Sequence, residues 1–415
     1  MIRSRLVCLK HICFAFLSLA LLLCALEVRL HFQESLTEQP WDGGEPADQL
    51  LVKSWLTYQS LKPSQTVTSH HPDTQSSVQV VTNSFGLRGS EILIPKPPGV
   101  FRIICLGDEN TLASGIEEPY TFCSLLQKYL QEHSQFKVEV VNAGVPDYCP
   151  LLSYLQVKHL LLGMQPDLLI LNFDMSDIAD DHKSRRHTLI DSDFEPLSCP
   201  HPDLIKTKKQ PHHTRIIDRF FITKWCKQQL GYIVPVSNLS EDRRDIDSRL
   251  GRYAWLQDEP PDWSIYIQQA FSPIDKLKLL SDRAFVRLVV STSAAPWQVS
   301  SSASSGARAA LGIPEGTLYR SRLPFSILGD YLQQRGIQFC ETSSAFQNSA
   351  NSERLYLNNA VQLSEEGHEL YARELAEYVR RHVSGIWIKG IYEKNQQPYL
   401  RQAGPSNPFS ERVQR

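Results

Sequence analysis

The sequence carries no excess of charge of either sign: 43 Lys and Arg against 45 Asp and Glu leave a formal net charge of -2. A phosphate backbone needs a basic surface, so nucleic acid is not an expected partner. Low hydrophobicity is missing as well, since 42% of residues are hydrophobic, and this excludes a disordered chain. There is no internal repeat, which excludes a solenoid or propeller. Glycine (20) is scarcer than proline (25), a balance that points to many loops. The nine cysteines show no zinc-type spacing and His133, His159 and His201 are scattered, so neither a metal nor a cofactor is expected. What is present is length: 415 residues suit one large α/β domain with a long insertion.

Arg3, Arg5 and Lys10 precede the run Ile12 to Leu26, in which every residue except Ser18 is apolar. At about 1.5 Å per residue the run covers roughly 22 Å, short of a roughly 30 Å hydrocarbon core, as in a signal peptide. Leu6 to Leu9 and Val28 to Leu30 extend it, and Lys10, Glu27 and Arg29 can snorkel to the interfaces. Leu23 stands where a cleavage site wants a small residue. Residues 1–35 are therefore read as an uncleaved signal anchor, with a cleaved signal as the alternative. Positive charge before the run keeps the N-terminus cytoplasmic and the main domain outside, periplasmic or extracytoplasmic, on a single-pass membrane helix. Six cysteines then fall in the exported part, where disulfides form. They permit up to three disulfides, with Cys199 and Cys226 the first pair to test, while Cys105 and Cys340 lie in apparent core strands and are expected as buried free thiols.

Residues 36–80 are polar and read as a stalk or loose lead-in. Phe101 to Leu106 is a short apolar run closed by Gly107 and Asp108, a buried strand ending in a turn. A helix follows near 119–133, then a strand at 136–141, a helix at 150–163 and a strand at 167–172. This alternation predicts a parallel sheet covered on both faces. Residues 181–260 break the rhythm and read as a solvated insertion, rich in charge at Lys206, Lys208, Lys209, His212, His213 and Arg215. A helix near 263–283, a strand at 285–291, a mobile Ser/Ala-rich loop at 299–310, a helix near 325–335, a strand at 337–340 and a helix at 365–382 complete the domain 81–383. A loop-like tail, 384–415, follows. Asn238, Leu239 and Ser240 form a glycosylation sequon.

In such a sheet the active crevice lies beyond the carboxyl ends of the strands. Gly107-Asp108-Glu109-Asn110-Thr111 follows the first strand, Asn142-Ala143-Gly144-Val145-Pro146 the second, and Asp174-Met175-Ser176-Asp177 the third. Asn359-Ala360-Val361-Gln362-Leu363-Ser364, with Gly367 and His368, comes near the end. In order and spacing these blocks, with the lead-in Asn83-Ser84-Phe85-Gly86-Leu87-Arg88, resemble the SGNH (GDSL-like) hydrolase family over residues 80–382. The resemblance implies a three-layer α/β/α sandwich around a central parallel sheet, flavodoxin-like, and an esterase or acyl hydrolase. It also implies the roles of particular positions. Glu109 stands at the family's nucleophilic serine, Gly144 at its oxyanion-hole glycine, Ser176 at its oxyanion-hole asparagine, Asn359 at the triad aspartate and Gln362 at the triad histidine. Asp108 and Asp177 flank them as turn-holding or binding residues.

Only the glycine of that set is retained. Acyl transfer by a serine needs a hydroxyl, an imidazole to take its proton and a charged group to orient the imidazole. Here a carboxylate and two amides stand in those places. A carboxylate about 5 Å from a developing oxyanion costs roughly 3 kcal/mol at an effective dielectric of about 20, more than about a hundredfold in rate. The expectation is a catalytically impaired member that binds a carbohydrate or acyl-ester ligand; its protein partners are not specified. The alternative is a working esterase or acyltransferase that uses Glu109 as a base on water, or a Ca²⁺ or Mg²⁺ held by converging carboxylates. The helix start after Glu109 is expected to lower its pKa and make it a weak base. His368 is assigned to the last helix, Asp180 and Asp181 to solvent, and Trp255, Trp263 and Trp297 to core or lid packing rather than to a sugar or acyl pocket.

Overall fold

The computed structural model describes residues 47–205 and 251–384. The N-terminal run, the basic stretch from Lys206 to Arg215, Cys226, the sequon and the tail after 384 lie outside them. Among the described residues no helix is long and apolar enough to cross a membrane.

The chain opens with two hairpins. Strands β1 (Leu51–Lys53) and β2 (Gln59–Leu61) pair antiparallel, as do β3 (Thr66–His70) and β4 (Ser77–Val81). In β3 and β4 alternate residues are buried, so Val67, Val78 and Val80 pack inward while polar neighbours face water. The loose stalk expected over 36–80 is thus corrected from residue 47 onward: polar composition hid a period-2 pattern, and Leu50, Leu61, Val67 and Val80 join the main core.

The central sheet has five parallel strands: β5 (Val100–Leu106), β6 (Lys137–Asn142), β7 (Leu168–Phe173), β10 (Arg287–Thr292) and β11 (Gln338–Glu341). Between β7 and β10 the chain makes a small antiparallel hairpin, β8 (Leu189–Ile190) with β9 (Pro196–Ser198). Across the sheet the order is β6-β5-β7-β10-β11, with every neighbouring pair parallel. β7 lies in the middle and every residue in it is buried, as a strand covered on both faces requires. The edge strand β6 has its outward amides occupied: Gln131 Oε1 accepts from Val138 N (2.8 Å) and Gln127 Oε1 from Val140 N (2.9 Å), which blunts the edge.

The short helix α1 (Glu109–Leu112) follows β5, and α2 (Phe122–Gln131) leads to β6. α3 (Pro150–His159) leads back to β7, α4 (Asp177–Arg185) follows β7, α5 (Ser264–Arg283) precedes β10, α6 (Leu323–Gln334) precedes β11 and α7 (Glu365–His382) comes last. Helices α2 and α7 pack together, and α3, α4 and α5 form a second group. The reversal of chain direction after β6 puts these groups on opposite faces, the three layers expected. α7 is capped by Ser364, whose side chain accepts from Gly367 N (3.2 Å), with Glu365 and Glu366 in its first turn and Arg380, Arg381 and His382 in its last.

The Ser/Ala-rich loop expected at 299–310 is instead partly helical over Ser305–Leu311. It is held by buried Arg308, whose guanidinium donates to the carbonyls of Ala303 (2.7 Å), Ser300 (2.6 Å) and Thr317 (3.0 Å). Cys105 and Cys340 are buried free thiols, as expected. Cys199 is buried as well and its thiol donates to the Ser184 carbonyl (3.3 Å). At the amino ends of the strands the fully buried Arg102 donates to Glu139, to the Met164 carbonyl and to the Leu93 carbonyl (2.9 Å), beside a Lys96–Asp167 ion pair.

Candidate functional site

Strand order reverses between β5 and β7, and at such a switch point the loops diverge and leave a crevice. Three loops line it: Gly107–Glu109 after β5, Ala143–Asp147 after β6, and Asp174–Asp177 after β7. Their geometry is fixed by side chains that close on backbone. Arg88, at the end of the Asn83–Arg88 turn, sends its buried guanidinium to the carbonyls of Leu112 (2.6 Å), Ala113 and Ile116 (2.6 Å), capping α1. Asn142 Nδ2 donates to Thr111 O (2.6 Å). Gly144 lies so close to α1 that a Cβ there would stand 2.3 Å from Leu112 N and 2.7 Å from Thr111 C, so only glycine fits.

The crevice is crowded with carboxyl groups. Asp108 caps α1, accepting from Asn110 N (3.0 Å), and Asp177 accepts from Asp174 N (3.0 Å). Both hold turn backbones, and burial followed by repulsion from neighbouring carboxylates, Asp174 first, pushes both pKa values well up. Glu109 accepts from Asp147 N (3.3 Å). Burial and then Asp147 raise its pKa to about 8 against the pull of Arg252. This corrects the expected low value: desolvation outweighs the start of a one-turn helix. Asp180 is raised to about 6 by burial.

A counter-charge arrives from the end of the 181–260 segment. The turn Gly251–Leu256 lays Arg252 into the crevice, where Nη2 stands 2.6 Å from Asp180 Oδ1 and 3.4 Å from Asp147 Oδ1. Tyr253 next to it is buried edge-on against Trp297, with ring centroids 4.6 Å apart, and Trp255 Nε1 donates to Met175 O (2.8 Å). Trp255 and Trp297 are therefore packing residues, as expected. Asp180 and Asp181 are not solvated: Asp180 pairs with Arg252, and Asp181 with Arg185 Nε (2.8 Å) one helical turn on. Among the described residues no group of three His, Cys, Asp or Glu side chains stands close enough to hold a metal ion.

The positions singled out by motif come together only in part. Ser176 gives its hydroxyl to Asp174 Oδ1 (2.8 Å), and Gly144 gives its N–H to Asn142 Oδ1 (3.0 Å). Asn359 turns away: its Nδ2 donates to Pro72 O (3.3 Å), and Asp73 accepts its backbone N–H (2.8 Å). Gln362 uses its carbonyl in a bridge to Leu357 N (2.9 Å). Glu109, Ser176 and Gln362 make no hydrogen bond to one another. What joins the blocks is a residue that the motif reading passed over. Asn110 donates through Nδ2 to Asp174 Oδ2 (2.8 Å) and accepts at Oδ1 from Leu363 N (3.0 Å), linking the first, third and last blocks. Arg252, Asp147 and Tyr253 were missed as well. His368 lies in α7 as expected, accepting from Phe122 N (3.3 Å), and burial lowers its pKa to about 3, so it is a neutral core residue.

The doubly wound parallel sheet with its crevice at the switch point defines the chain as an α/β protein of flavodoxin-like strand order. No family model and no curated protein matches the sequence. Among solved structures the chain is similar to a lipase/acylhydrolase from Enterococcus faecalis, at 11% identity over 68% of this chain and 96% of that one, with a TM-score of 0.38. It is also similar to a catalytic mutant of an acetylxylan esterase from Geobacillus stearothermophilus, at 11% identity over 67% of this chain and 94% of that one, with a TM-score of 0.37. Likeness at this level says nothing about the chemistry of the crevice.

Proposed function

We propose that the chain is an SGNH-type hydrolase relative that has given up acyl transfer. In this reading it is held outside the membrane by its N-terminal anchor and binds a glycan or acylated ligand in the switch-point crevice. One observation carries it: two of the donors that would stabilise an oxyanion are already committed, Gly144 N–H to Asn142 and the Ser176 hydroxyl to Asp174. Glu109 at the nucleophile position, Gln362 at the histidine position and Asn359 turned toward Pro72 support the loss of a serine–histidine–aspartate mechanism at these positions. The crevice keeps carboxyl groups and one guanidinium, which suit hydrogen bonding to hydroxyl or ester oxygens.

A second reading has one observation in its favour. Glu109 titrates near 8, close to the operating pH of a general base, and could take a proton from water. Purified full chain is assayed on p-nitrophenyl acetate and butyrate beside Glu109→Ala. The expected outcome is a rate equal to buffer for both. Turnover by the wild type that disappears in Glu109→Ala would replace the binding reading with the catalytic one.

A further inference from the structure

The β1–β2 turn is stitched to the end of β9. Leu56 O accepts from Cys199 N (2.8 Å) and Ser54 O from His201 N (2.9 Å), so the two hairpins form one continuous ribbon. Six apolar side chains on it are exposed, Val52, Trp55 and Leu56 on the first hairpin and Leu189, Ile190 and Leu197 on the second, beside the exposed Lys53–Asp203 ion pair (2.8 Å). Trp55 is 59% and Ile190 52% accessible. Single exposed apolar residues are ordinary, whereas several gathered on joined hairpins point to a contact surface.

We propose that this ribbon lies on the lipid bilayer as a second membrane contact, which rests on the anchor reading above. The chain outside the described residues points to that occupant. The apolar run ends at Leu26, the described chain begins at Ala47, and β1 starts at Leu51. Residues 27–46 reach at most about 70 Å when fully extended. Among the described residues the ribbon contains the first strands after the anchor, and a tether of that length limits its distance from the surface. A tryptophan among aliphatic residues suits the boundary between headgroups and acyl chains. The ribbon's backbone groups at Ser54, Leu56, Cys199 and His201 bond each other, so its approach to lipid leaves those groups satisfied.

The same ribbon also braces the crevice. Gln59 Nε2 donates to Pro146 O (2.8 Å), and Tyr148 donates its hydroxyl proton to Gln59 O (2.8 Å), so β2 holds the loop that carries Asp147. With the ribbon on the bilayer, that loop stands beside the lipid surface. The ligand class this favours is an acylated molecule presented by the membrane rather than a free soluble glycan.

The test uses full chain in phosphatidylcholine vesicles with and without brominated acyl chains, comparing wild type with Trp55→Phe so that the difference emission belongs to Trp55. Bromine is expected to lower that difference about twofold, and to leave it unchanged when Leu56→Glu and Ile190→Glu are introduced in both members of the pair. Flotation separates the two failures. A chain that does not float with the vesicles overturns anchor and ribbon contact together. A chain that floats, with Trp55 emission indifferent to bromine, overturns the ribbon contact alone. A cross-linked dimer abolished by Leu56→Glu and Ile190→Glu assigns the face to a second copy and also overturns it.

Discussion

The two ends of the same parallel sheet treat buried charge in opposite ways. At the amino ends, Arg102 has no exposure to solvent, but its guanidinium meets Glu139 and two carbonyls, and Asp167 meets both Lys96 and the Arg102 amide. Every charge there has a partner. At the carboxyl ends, Asp108 and Asp177 crowd against Asp174, Glu109 and Asp180 share the guanidinium of Arg252 with Asp147, and the pKa values of Asp108, Glu109, Asp177 and Asp180 are all driven up. The first arrangement holds the fold together, and the second costs stability. Strained carboxyl groups gathered at one end of a sheet are a pattern shared by functional sites, and this singles out the carboxyl end as the candidate site.

The contrast can be broken at either end, and the largest effect is expected at the balanced one. Arg102→Ala strands Glu139 and two carbonyls and should lower unfolding free energy by about 3–5 kcal/mol in urea titration. At the crevice Gly144→Ala drives a methyl into α1 and should cost about 2 kcal/mol, read as a lower midpoint in the same titration. Glu109→Gln acts in the opposite direction. The folded chain holds the Glu109 proton more tightly than the unfolded one, so that group's contribution is fully present below about pH 4.5 and is lost as pH rises through about 8. Asp180 adds the same sign between about 3.8 and 6. Glu109→Gln should therefore raise stability at pH 9 by about 2 kcal/mol, leave it little changed at pH 4, and flatten the profile between. A variant no more stable than wild type at pH 9 would mean that the crevice is not electrostatically strained. The smallest effect is at His368, whose imidazole NMR signals should show no titration between pH 5 and 8.

The sheet and its helices were legible because their signals are local. Four apolar residues in succession at Leu168–Leu171, followed by Asn172 and Phe173, mark a central strand, and the Leu-Ser step at 363–364 marked the start of α7 within a residue. The lead-in hairpins were not legible, because β3 reads Thr-Val-Thr-Ser-His and buries only Val67 and Ser69. The crevice was legible as a place but not as a network. Asp180 looks solvated until Arg252, 72 residues away, is brought beside it. Asn359 looks like a triad member until Asp73, 286 residues earlier, accepts its amide and Pro72 accepts its side chain. Burial of a carboxylate is decided by a partner that spacing along the chain cannot reveal.

Asn110 has a consequence for how the protein is made. Its side chain holds the Asp174 carboxylate with one hand and the Leu363 amide with the other, 253 residues downstream. A chain emerging from its N-terminus can pair β5, β6 and β7 early, yet the first loop of the crevice keeps an unmet acceptor until residue 363 arrives. The pocket is therefore completed close to the end of synthesis, and a chain stopped before residue 363 should hold most of the sheet with its mouth unlatched.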